Sequence, residues 1–492
     1  MKYKPTIGLE IHTELKTKTK MFCSCLNNPE EKNPNVNVCP ICMGHPGTLP
    51  VINEEAVKSV IKSGLALNCN IPNYSKFDRK NYFYPDLPKG YQISQYDKPL
   101  CGKGFLNVDG RKIDITRIHL EEDTGKLSHI NGKTVVDYNR AGLPLMELVT
   151  EPDITSAQEA RKFAEELQLI LRYLGVSDAD MEKGQMRVEA NISISKDSKL
   201  GTKVEIKNLN SFRAVEKGIE YEIERQTEVL ENGEKVIQET RGWDDNKGKT
   251  FSQREKEEAH DYRYFPEPDL PPLNLSDKYI NDVKLDLLEL PAEKRDRFKK
   301  EYKLDEKEVE VLIRNRKMCD YFEKVISELA DWLSSIEGKK SLETDNFYKL
   351  VKLSVNYLTT DLQGLLGDIS LDSEKFLITP ENFAEFIILI YKGDISSKIA
   401  KMVLLEMFKT GADPSHIIED KGLSQITDEG EIEIIVIDTV SDISNQKVIQ
   451  EFKAGKENAL QYLIGQIMAK TKGKANPQIV KDLLNKTLTK NK

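Results

Sequence analysis

The hydrophobic periodicity of this chain changes near residue 290, and no other feature constrains the fold as much. Before that point short runs alternate apolar and polar residues, as PTIGLEIHTEL does at 5–15. Such alternation puts successive side chains on opposite faces of a β-strand. Beyond Leu290 the apolar residues recur at helical spacing. We therefore predict an α+β protein in which an N-terminal antiparallel sheet precedes a helical region.

Local signals add detail to this picture. Residues 155–174 carry the periodicity and capping residues of a helix. The stretch 76–96 is rich in Tyr, Lys, Asn and Pro and has no clear period, so it is predicted as an ordered loop. The prolines between 266 and 272 are predicted to mark a domain boundary.

The predicted strands carry unusual polar residues opposite their apolar face. Glu10 and His12 share this face in the first strand, and Arg187 and Glu189 share it in the run 185–194. An antiparallel sheet can leave one face in water, so a merely solvated face is the alternative. Short or planar groups such as imidazole, amide and guanidinium suit fixed geometry, which favours a binding site.

Three adjacent acids, Glu121, Glu122 and Asp123, follow His119 in the segment HLEEDTGK. Taken alone, such a triplet is most often a solvated loop. Charges removed from water must be paired or must bind a cation. Together with the polar strands, the triplet indicates a place where a metal or a charged substrate sits.

Four of the seven cysteines form two close pairs, Cys23-x-Cys25 and Cys39-x-x-Cys42. Two thiol pairs at this separation can present four sulfurs tetrahedrally to zinc. Four protein ligands leave no open position, so the predicted zinc is structural. The alternative of buried apolar cysteines fits the three isolated ones better.

The chain has 72 basic and 81 acidic residues, so its whole surface is not expected to attract nucleic acid. Residues 446–492 are an exception, with ten lysines against three acids. The turn that contains Lys470, Lys472 and Lys474 can place ammonium groups against phosphates, although a solubilising tail is the alternative. No apolar run reaches the ~18 residues of a membrane span and no secretory signal is present, which predicts a cytoplasmic protein without membrane contact.

Several long segments resemble the B subunit of the bacterial glutamyl-tRNA(Gln)/aspartyl-tRNA(Asn) amidotransferase. They are IGLEIHTEL at 7–15, KFDRKNYFYPDLPKGYQIS at 76–94, HLEEDTGK at 119–126, DYNRAGLPLMEL at 137–148, GTKVEIKNLNSF at 201–212, EEAHDYRYFPEPDLPP at 257–272 and GKANP at 473–477. The resemblance implies a cradle-like N-terminal catalytic domain at 1–290, a helical domain at 291–410 and a tRNA-contacting tail of YqeY type at 411–492.

The resemblance also implies a reaction and its participants. ATP phosphorylates the side-chain carboxyl of mischarged Glu-tRNA or Asp-tRNA in the cradle, and ammonia from glutamine displaces the phosphate. The chain is expected to work in a heterotrimer with an amidase (glutaminase) subunit and a small third subunit. Because the chain lacks the amidase Ser-Ser-Lys segment, ammonia must come from the amidase partner. Both tRNA(Gln) and tRNA(Asn) are candidate substrates.

The same resemblance leads us to predict roles for individual residues. The predicted catalytic residues are Glu10, His12, Glu121, Glu122, Lys80 and Lys89, with Lys80, Lys89 and Glu122 near the exit of the ammonia channel. The predicted Mg²⁺ ligands are Glu10, His12, Glu121, Glu122 and Glu189, the last at a position where the family often has aspartate. The predicted nucleotide-binding residues are Asn139, Arg140, Arg187, Glu205 and Lys207.

Two other functions are alternatives. The chain could be a tRNA-binding adapter with a purely structural acidic face. It could also be a metal-dependent phosphohydrolase that turns over without partner or tRNA.

Overall fold

The structure is a computed structural model that describes residues 3–197, 199–255, 262–337, 344–367, 369–423, 426, 428–453, 456–471 and 473–490. The chain divides into two compact units, Met1–Pro291 and Ala292–Lys492. The strands are β1 (Lys4–Glu14), β2 (Tyr74–Ser75), β3 (Asp78–Asn81), β4 (Tyr91–Ser94), β5 (Gly104–Val108), β6 (Arg111–Glu122), β7 (Lys126–Ile130), β8 (Lys133–Asp137), β9 (Pro144–Thr150), β10 (Met186–Ser195), β11 (Val204–Leu209), β12 (Glu239–Asp244), β13 (Lys249–Glu255), β14 (Phe265–Pro266) and β15 (Leu273–Asn274).

The α-helices of the first unit are α1 (Glu54–Ala66), α2 (Ala157–Leu174), α3 (Phe212–Glu231) and α4 (Asp277–Leu285). Those that follow are α5 (Pro291–Glu301), α6 (Glu306–Ile313), α7 (Arg316–Glu337), α8 (Asp345–Asn356), α9 (Gln363–Leu366), α10 (Pro380–Lys392), α11 (Ser397–Thr410), α12 (Pro414–Asp420), α13 (Glu429–Ser441), α14 (Gln446–Lys453), α15 (Glu457–Lys470) and α16 (Pro477–Lys490). A π-helical turn (Tyr357–Leu362) follows α8, and a 3₁₀ turn (Ile443–Asn445) follows α13.

One eight-stranded sheet organises the first unit, in the order β13, β12, β11, β10, β1, β9, β6, β5. All neighbours are antiparallel except the parallel pair β11 and β12. The central strand β1 therefore lies between two strands that come much later in the chain. Side chains from β1, β10 and β9 meet on one face because of this order.

Helices α1, α2 and α3 pack on the apolar face of the sheet. Helix α2 follows its predicted signals: Ser156 accepts a hydrogen bond from the Glu159 N–H, and Gly175 ends the helix at φ 70°. That left-handed conformation suits glycine because it has no β-carbon. With these helices on one face, the polar residues of the sheet remain on the other.

Two sequence predictions for the first unit need correction. The stretch 76–96 is a loop in its middle, residues 82–90, but β3 and β4 flank that loop. The prolines between 266 and 272 lie inside the unit rather than at its end, since β14 pairs with β3 and β15 with β2. Proline can occupy such edge strands, where no inward N–H is needed. The buried Glu267 carboxylate fixes this segment by accepting two hydrogen bonds from Arg79, at 2.7 and 2.8 Å.

The second unit is helical, as the periodicity predicts. Residues from α13, α14, α15 and α16 share a separate small core that includes Ile432, Leu463 and Leu484. Helix α12 packs against α10 and α11 instead. The predicted division at residue 410 stays a prediction. The α+β fold class is confirmed, and no helix in the described ranges combines the length and apolar character needed to cross a membrane.

Candidate active site

Strand register brings the predicted polar residues together on the face of the sheet opposite helices α1, α2 and α3. Glu10 of β1 lies opposite Glu189 of β10, and His12 lies opposite Glu147 of β9. Glu147 in turn lies opposite His119 of β6. Residues directly opposite each other in adjacent strands project to the same side. Four strands thus contribute to one polar cluster.

Glu147 is the centre of this cluster. Its Oε2 lies 3.4 Å from Nε2 of His12 and 3.3 Å from Nε2 of His119. Glu121 lies 3.8 Å from each imidazole, and Glu10 lies 3.9 Å from that of His12. Sequence reasoning missed Glu147. The available signal was a single carboxylate in the apolar run PLMELVT of β9.

The charges in this cluster are strongly coupled. Burial alone raises the pKa of the Glu147 carboxyl, but His119 and His12 outweigh it and hold that pKa well below its usual range. Burial lowers the pKa of both imidazoles, yet the surrounding carboxylates raise the pKa of His12 to about 8 and that of His119 to about 9. Burial and the nearby Glu147 raise the pKa of Glu10 to about 7. Protons on the two imidazoles thus balance carboxylate charge that a bound cation could balance instead.

A second carboxylate group adjoins the first through Glu10. Ligand atoms of Glu10, Glu189 and Glu205 lie within 4.8 Å of one another. Lys207 pairs with Glu189 at 2.8 Å and with Glu205 at 3.7 Å, while the Thr240 hydroxyl donates to Glu205 at 2.7 Å. Both sequence-predicted residues Glu205 and Lys207 therefore lie on the polar face.

The donor set of this face fits a hard divalent cation. Two further groups have the same spacing, namely Glu10, His12 and Glu147, and His119, Glu121 and Glu147. They are dominated by carboxylate oxygens, which are the ligands that Mg²⁺ prefers. Glu10 and Glu147 each belong to two groups, so neighbouring cation positions would share ligands.

Lys80 faces the same carboxylates from strand β3. Burial opposes its charge, but Glu121 and Glu147 raise the pKa of its ammonium group above the usual value. Its Nζ also lies 5.2 Å from the ring centre of Tyr262. The structure thus brings together Glu10, His12, Glu121 and Lys80, four of the residues predicted to be catalytic.

Arg140 and Arg187 lie at the side of the cluster and share one acid. The Asp123 carboxylate accepts hydrogen bonds from Arg187 Nη2 at 3.1 and 3.0 Å, and its Oδ2 lies 3.0 Å from Arg140 Nε. Burial raises the pKa of Asp123, but the two guanidinium groups lower it more. Both arginines are therefore already paired with a carboxylate of the protein, that of Asp123.

Glu122 does not join the predicted Mg²⁺ ligands. Successive residues of a strand point to opposite faces, so Glu122 turns away from Glu121. Its Oε1 pairs with the Lys89 ammonium and accepts the Ile93 N–H at 2.9 Å. The pair lines a cavity of about 70 Å³ together with Cys42. Lys89 and Glu122 therefore form a separate buried ion pair between the sheet and the cysteine cluster.

Asn139 is also placed differently from the prediction. Its Oδ1 accepts the Val36 and Asn37 N–H groups, both at 2.9 Å, and its Nδ2 donates to the Asn33 carbonyl at 2.7 Å. These three hydrogen bonds use the side-chain amide to hold one loop. Asn139 fixes the segment between the two cysteine pairs rather than facing the carboxylates.

The four paired cysteines converge as predicted. Sγ atoms of Cys23, Cys25, Cys39 and Cys42 all lie within 4.8 Å of one another, and those of Cys39 and Cys42 are 3.9 Å apart. Zinc with Zn–S bonds of about 2.3 Å separates its sulfurs by about 3.8 Å in a tetrahedron. The Cys39 N–H donates to Cys42 Sγ at 3.1 Å, which stabilises a thiolate there. The donor set fits zinc.

The predicted tRNA-binding lysines lie at the last residue of helix α15 and just after it. Lys470 pairs with Asp438 at 2.6 Å, and Lys474 is half-buried with its carbonyl accepting the Ile426 N–H. Lys472 lies outside the described residues. One of the three lysines is therefore already paired within the protein.

Comparison with known proteins extends these observations to the whole chain. A family model described as the GatB/GatE catalytic domain matches residues 5–281, and a second described as the GatB domain matches residues 343–488. The first match covers the sheet and its polar face. The second covers most of the helical region.

Curated relatives match along their full length. The aspartyl/glutamyl-tRNA(Asn/Gln) amidotransferase B subunit of Persephonella marina is 48% identical over 99% of this chain and 100% of its own length. The proteins of the same name from Thermotoga petrophila and Thermoanaerobacter pseudethanolicus are each 47% identical; the former aligns over 99% of both chains and the latter over 100% of both. With its catalytic-domain match and these relatives, the chain belongs to the family of aspartyl/glutamyl-tRNA(Asn/Gln) amidotransferase B subunits.

Proposed function

We propose that the polar face of the first unit activates the side-chain carboxyl of Glu-tRNA(Gln) or Asp-tRNA(Asn) with ATP and then amidates it with ammonia. The observation that supports this most directly is the cluster around Glu147, in which the carboxylates of Glu10 and Glu121 and two imidazoles converge. Such a cluster costs free energy unless cations bind it. Phosphoryl transfer needs that kind of charge neutralisation.

The chemistry explains why activation is required. Ammonia cannot displace oxide from a carboxylate, whereas phosphate is a good leaving group. A carboxylate oxygen attacks the γ-phosphorus, ADP departs, and an acyl phosphate forms. Ammonia then attacks the carbonyl carbon, the C–O bond to phosphate breaks, and a proton leaves the nitrogen. The products are the amide, phosphate and ADP.

Each group of the face has a role in this proposal. Glu10, His12, Glu121 and Glu147 would hold Mg²⁺, with Glu189 and Glu205 beside them. Bound Mg²⁺ supplies the positive charge that phosphate oxygens need during transfer. Lys80 orients the substrate carboxylate and the transferred phosphoryl group, because its ammonium group already faces Glu121 and Glu147.

Lys89 and Glu122 serve the ammonia step in this proposal. Their ion pair is buried, with side-chain exposures of 9% and 5%, and it lines a cavity next to the sheet. A carboxylate in such a cavity can accept the proton that an ammonium ion must lose before it attacks. Ammonia would reach it from the amidase partner, in a cytoplasmic heterotrimer completed by the small third subunit.

The four-cysteine cluster holds a structural zinc ion in this proposal, and the helical tail binds the tRNA. The lysines at the end of α15 and just after it would contact phosphates and contribute affinity rather than chemistry. Deletion of the predicted tail, residues 411–492, should then weaken tRNA binding and flatten its salt dependence. An unchanged affinity and salt slope would contradict this part.

The main test supplies ammonium chloride in place of glutamine, so that the partner's glutaminase is not needed. The co-purified complex should convert each mischarged tRNA to its amide only when ATP and Mg²⁺ are present. Glu10→Gln should reduce the rate by orders of magnitude, while glutaminase activity of the partner persists as the control for assembly. Near-normal amidation by Glu10→Gln, or tRNA binding without ATP-dependent amidation by wild type, would favour the adapter instead.

A further inference from the structure

Lys20 is a buried cation beside the four-cysteine cluster. Its side chain is almost completely enclosed, at 1% exposure. A buried ammonium group costs free energy unless hydrogen bonds and an opposite charge compensate it. In the part of the chain that the structure describes, no carboxylate forms an ion pair with Lys20. Its compensation must therefore come from other groups.

Three atoms surround the Lys20 ammonium group. It donates to the carbonyl of Ala141 at 2.7 Å and to that of Tyr138 at 3.2 Å. Its third neighbour is Cys42 Sγ at 3.9 Å. The sulfur is the neighbour that becomes negative when the cluster binds a metal, because thiolates are the ligating form.

The net charge of the zinc-bound cysteine cluster explains this arrangement. Four thiolates around Zn²⁺ leave a net charge of −2, which is unfavourable in a partly buried site. Lys20 supplies one positive charge at the edge of the cluster, next to its most buried cysteine. We propose that Lys20 is the counter-ion of the zinc site and that it couples zinc occupancy to the turn formed by residues 138–142. This inference rests on the zinc proposed above and not on the amidation reaction.

The turn at 138–142 connects the cysteine cluster to the polar face. Its carbonyls hold Lys20, and the Gly142 carbonyl accepts the Met21 N–H at 2.8 Å. Its Arg140 reaches Asp123. Through Asn139 it also binds the segment between the cysteine pairs. A metal that fixes the cysteines thereby fixes the turn.

Lys20 is thus a positioning residue. It touches no reacting group, but it ties the cysteine cluster to the element that presents Arg140. Loss of its charge should weaken zinc binding, and loss of zinc should loosen the turn. A role in packing alone predicts neither effect.

The experiment compares Lys20→Met with Lys16→Met in the purified full-length chain within its complex. Lys16 is four residues away and exposed, with one surface partner at 2.9 Å, so it controls for a general change of charge. Zinc affinity is measured by competition with a chromophoric chelator. Lys20→Met should bind zinc about 10- to 100-fold more weakly, the range found when a group supporting metal ligands is removed. Lys16→Met should stay within about twofold of wild type, since exposed ion pairs contribute little.

Hydrogen–deuterium exchange of the peptide covering 136–143 gives the second readout. Exchange should become faster in Lys20→Met, and also in wild type after a chelator removes zinc. The measurement on wild type needs no substitution, so it tests whether zinc is coupled to the turn even if Lys20→Met fails to fold. Unchanged zinc affinity in a folded Lys20→Met, or unchanged exchange after zinc removal, would overturn the inference. A wild-type protein without zinc would overturn it together with the zinc proposal, while the ammonium chloride assay would still report on amidation separately.

Discussion

Replacement of Glu147 by Gln is the sharpest test of the polar face. Glu147 belongs to two of the three candidate cation groups, and its Oε2 lies 3.4 and 3.3 Å from two imidazoles. Glutamine keeps the size of the side chain but removes its charge. The change therefore isolates the electrostatic contribution of one carboxylate.

The expected magnitude follows from these distances. Two unit charges about 4 Å apart interact with about 4 kcal/mol at an effective dielectric constant of ~20. Removal of one partner from a buried pair typically costs about 3 to 5 kcal/mol. If the transition state loses about 3 kcal/mol of stabilisation by the bound cation, the rate falls roughly 100-fold, because each change of about 1.36 kcal/mol in activation free energy changes the rate about tenfold.

The assay measures two quantities in the assembled complex. Mn²⁺ serves as a paramagnetic probe for Mg²⁺, and its affinity is obtained from the electron paramagnetic resonance of the free ion. Amide formation from ammonium chloride and mischarged tRNA is measured at saturating ATP. Both should fall by about two orders of magnitude in Glu147→Gln.

A matched control separates this effect from general damage. Glu151→Gln alters a carboxylate just beyond the end of the same strand, where it accepts a hydrogen bond from Thr116 at 2.9 Å. This control should keep both values near those of wild type. Mn²⁺ affinity and amidation within about threefold of wild type in Glu147→Gln would refute the assignment of Glu147 to the cation site.

Three further predictions concern the surrounding structure. Cys42→Ser should lower the zinc content from about one ion per chain, as measured by metal analysis under reducing conditions; full zinc retention would contradict the four-cysteine site. Gly142→Ala should lower the free energy of unfolding by about 1 to 2 kcal/mol, because Gly142 has φ +86° and a β-carbon is strained there; urea denaturation checks this, and an unchanged midpoint would count against it. Glu267→Ala should cost about 1.5 to 3 kcal/mol in the same assay, because it removes two charge-assisted hydrogen bonds to Arg79, at 2.7 and 2.8 Å, and leaves the guanidinium with Asp269 at 3.3 Å. A loss below about 1 kcal/mol would mean that water replaces Glu267.

Local sequence determined the elements and their faces. The alternation in β1 and β10 placed Glu10, His12 and Glu189 opposite the apolar residues, because side chains alternate along any strand. The spacing of the cysteines predicted their convergence, since both pairs lie in one short segment. The change to helical periodicity separated the two units for the same local reason.

Other features depended on which strands became neighbours. Glu147 was missed because its local signal, a lone carboxylate in an apolar run, does not indicate which residues it meets. It became the centre of the cluster only when β9 inserted between β1 and β6. The residues that it meets, His12 and His119, are far from it and from each other in the sequence. Proximity of this kind is set by register and sheet order, which periodicity does not encode.

Glu122 and Asn139, which were predicted at the polar face but lie elsewhere, show the same limit of sequence-based prediction. Glu122 was grouped with Glu121 because the two are adjacent, yet adjacency in a strand sends them to opposite faces. Asn139 had the right chemistry for a ligand, but the folded chain uses its amide to hold the cysteine segment. Sequence alone thus determined the types of groups available and the faces they occupy. Tertiary structure decided which groups meet, because contacts between distant strands depend on how the whole sheet buries its apolar face.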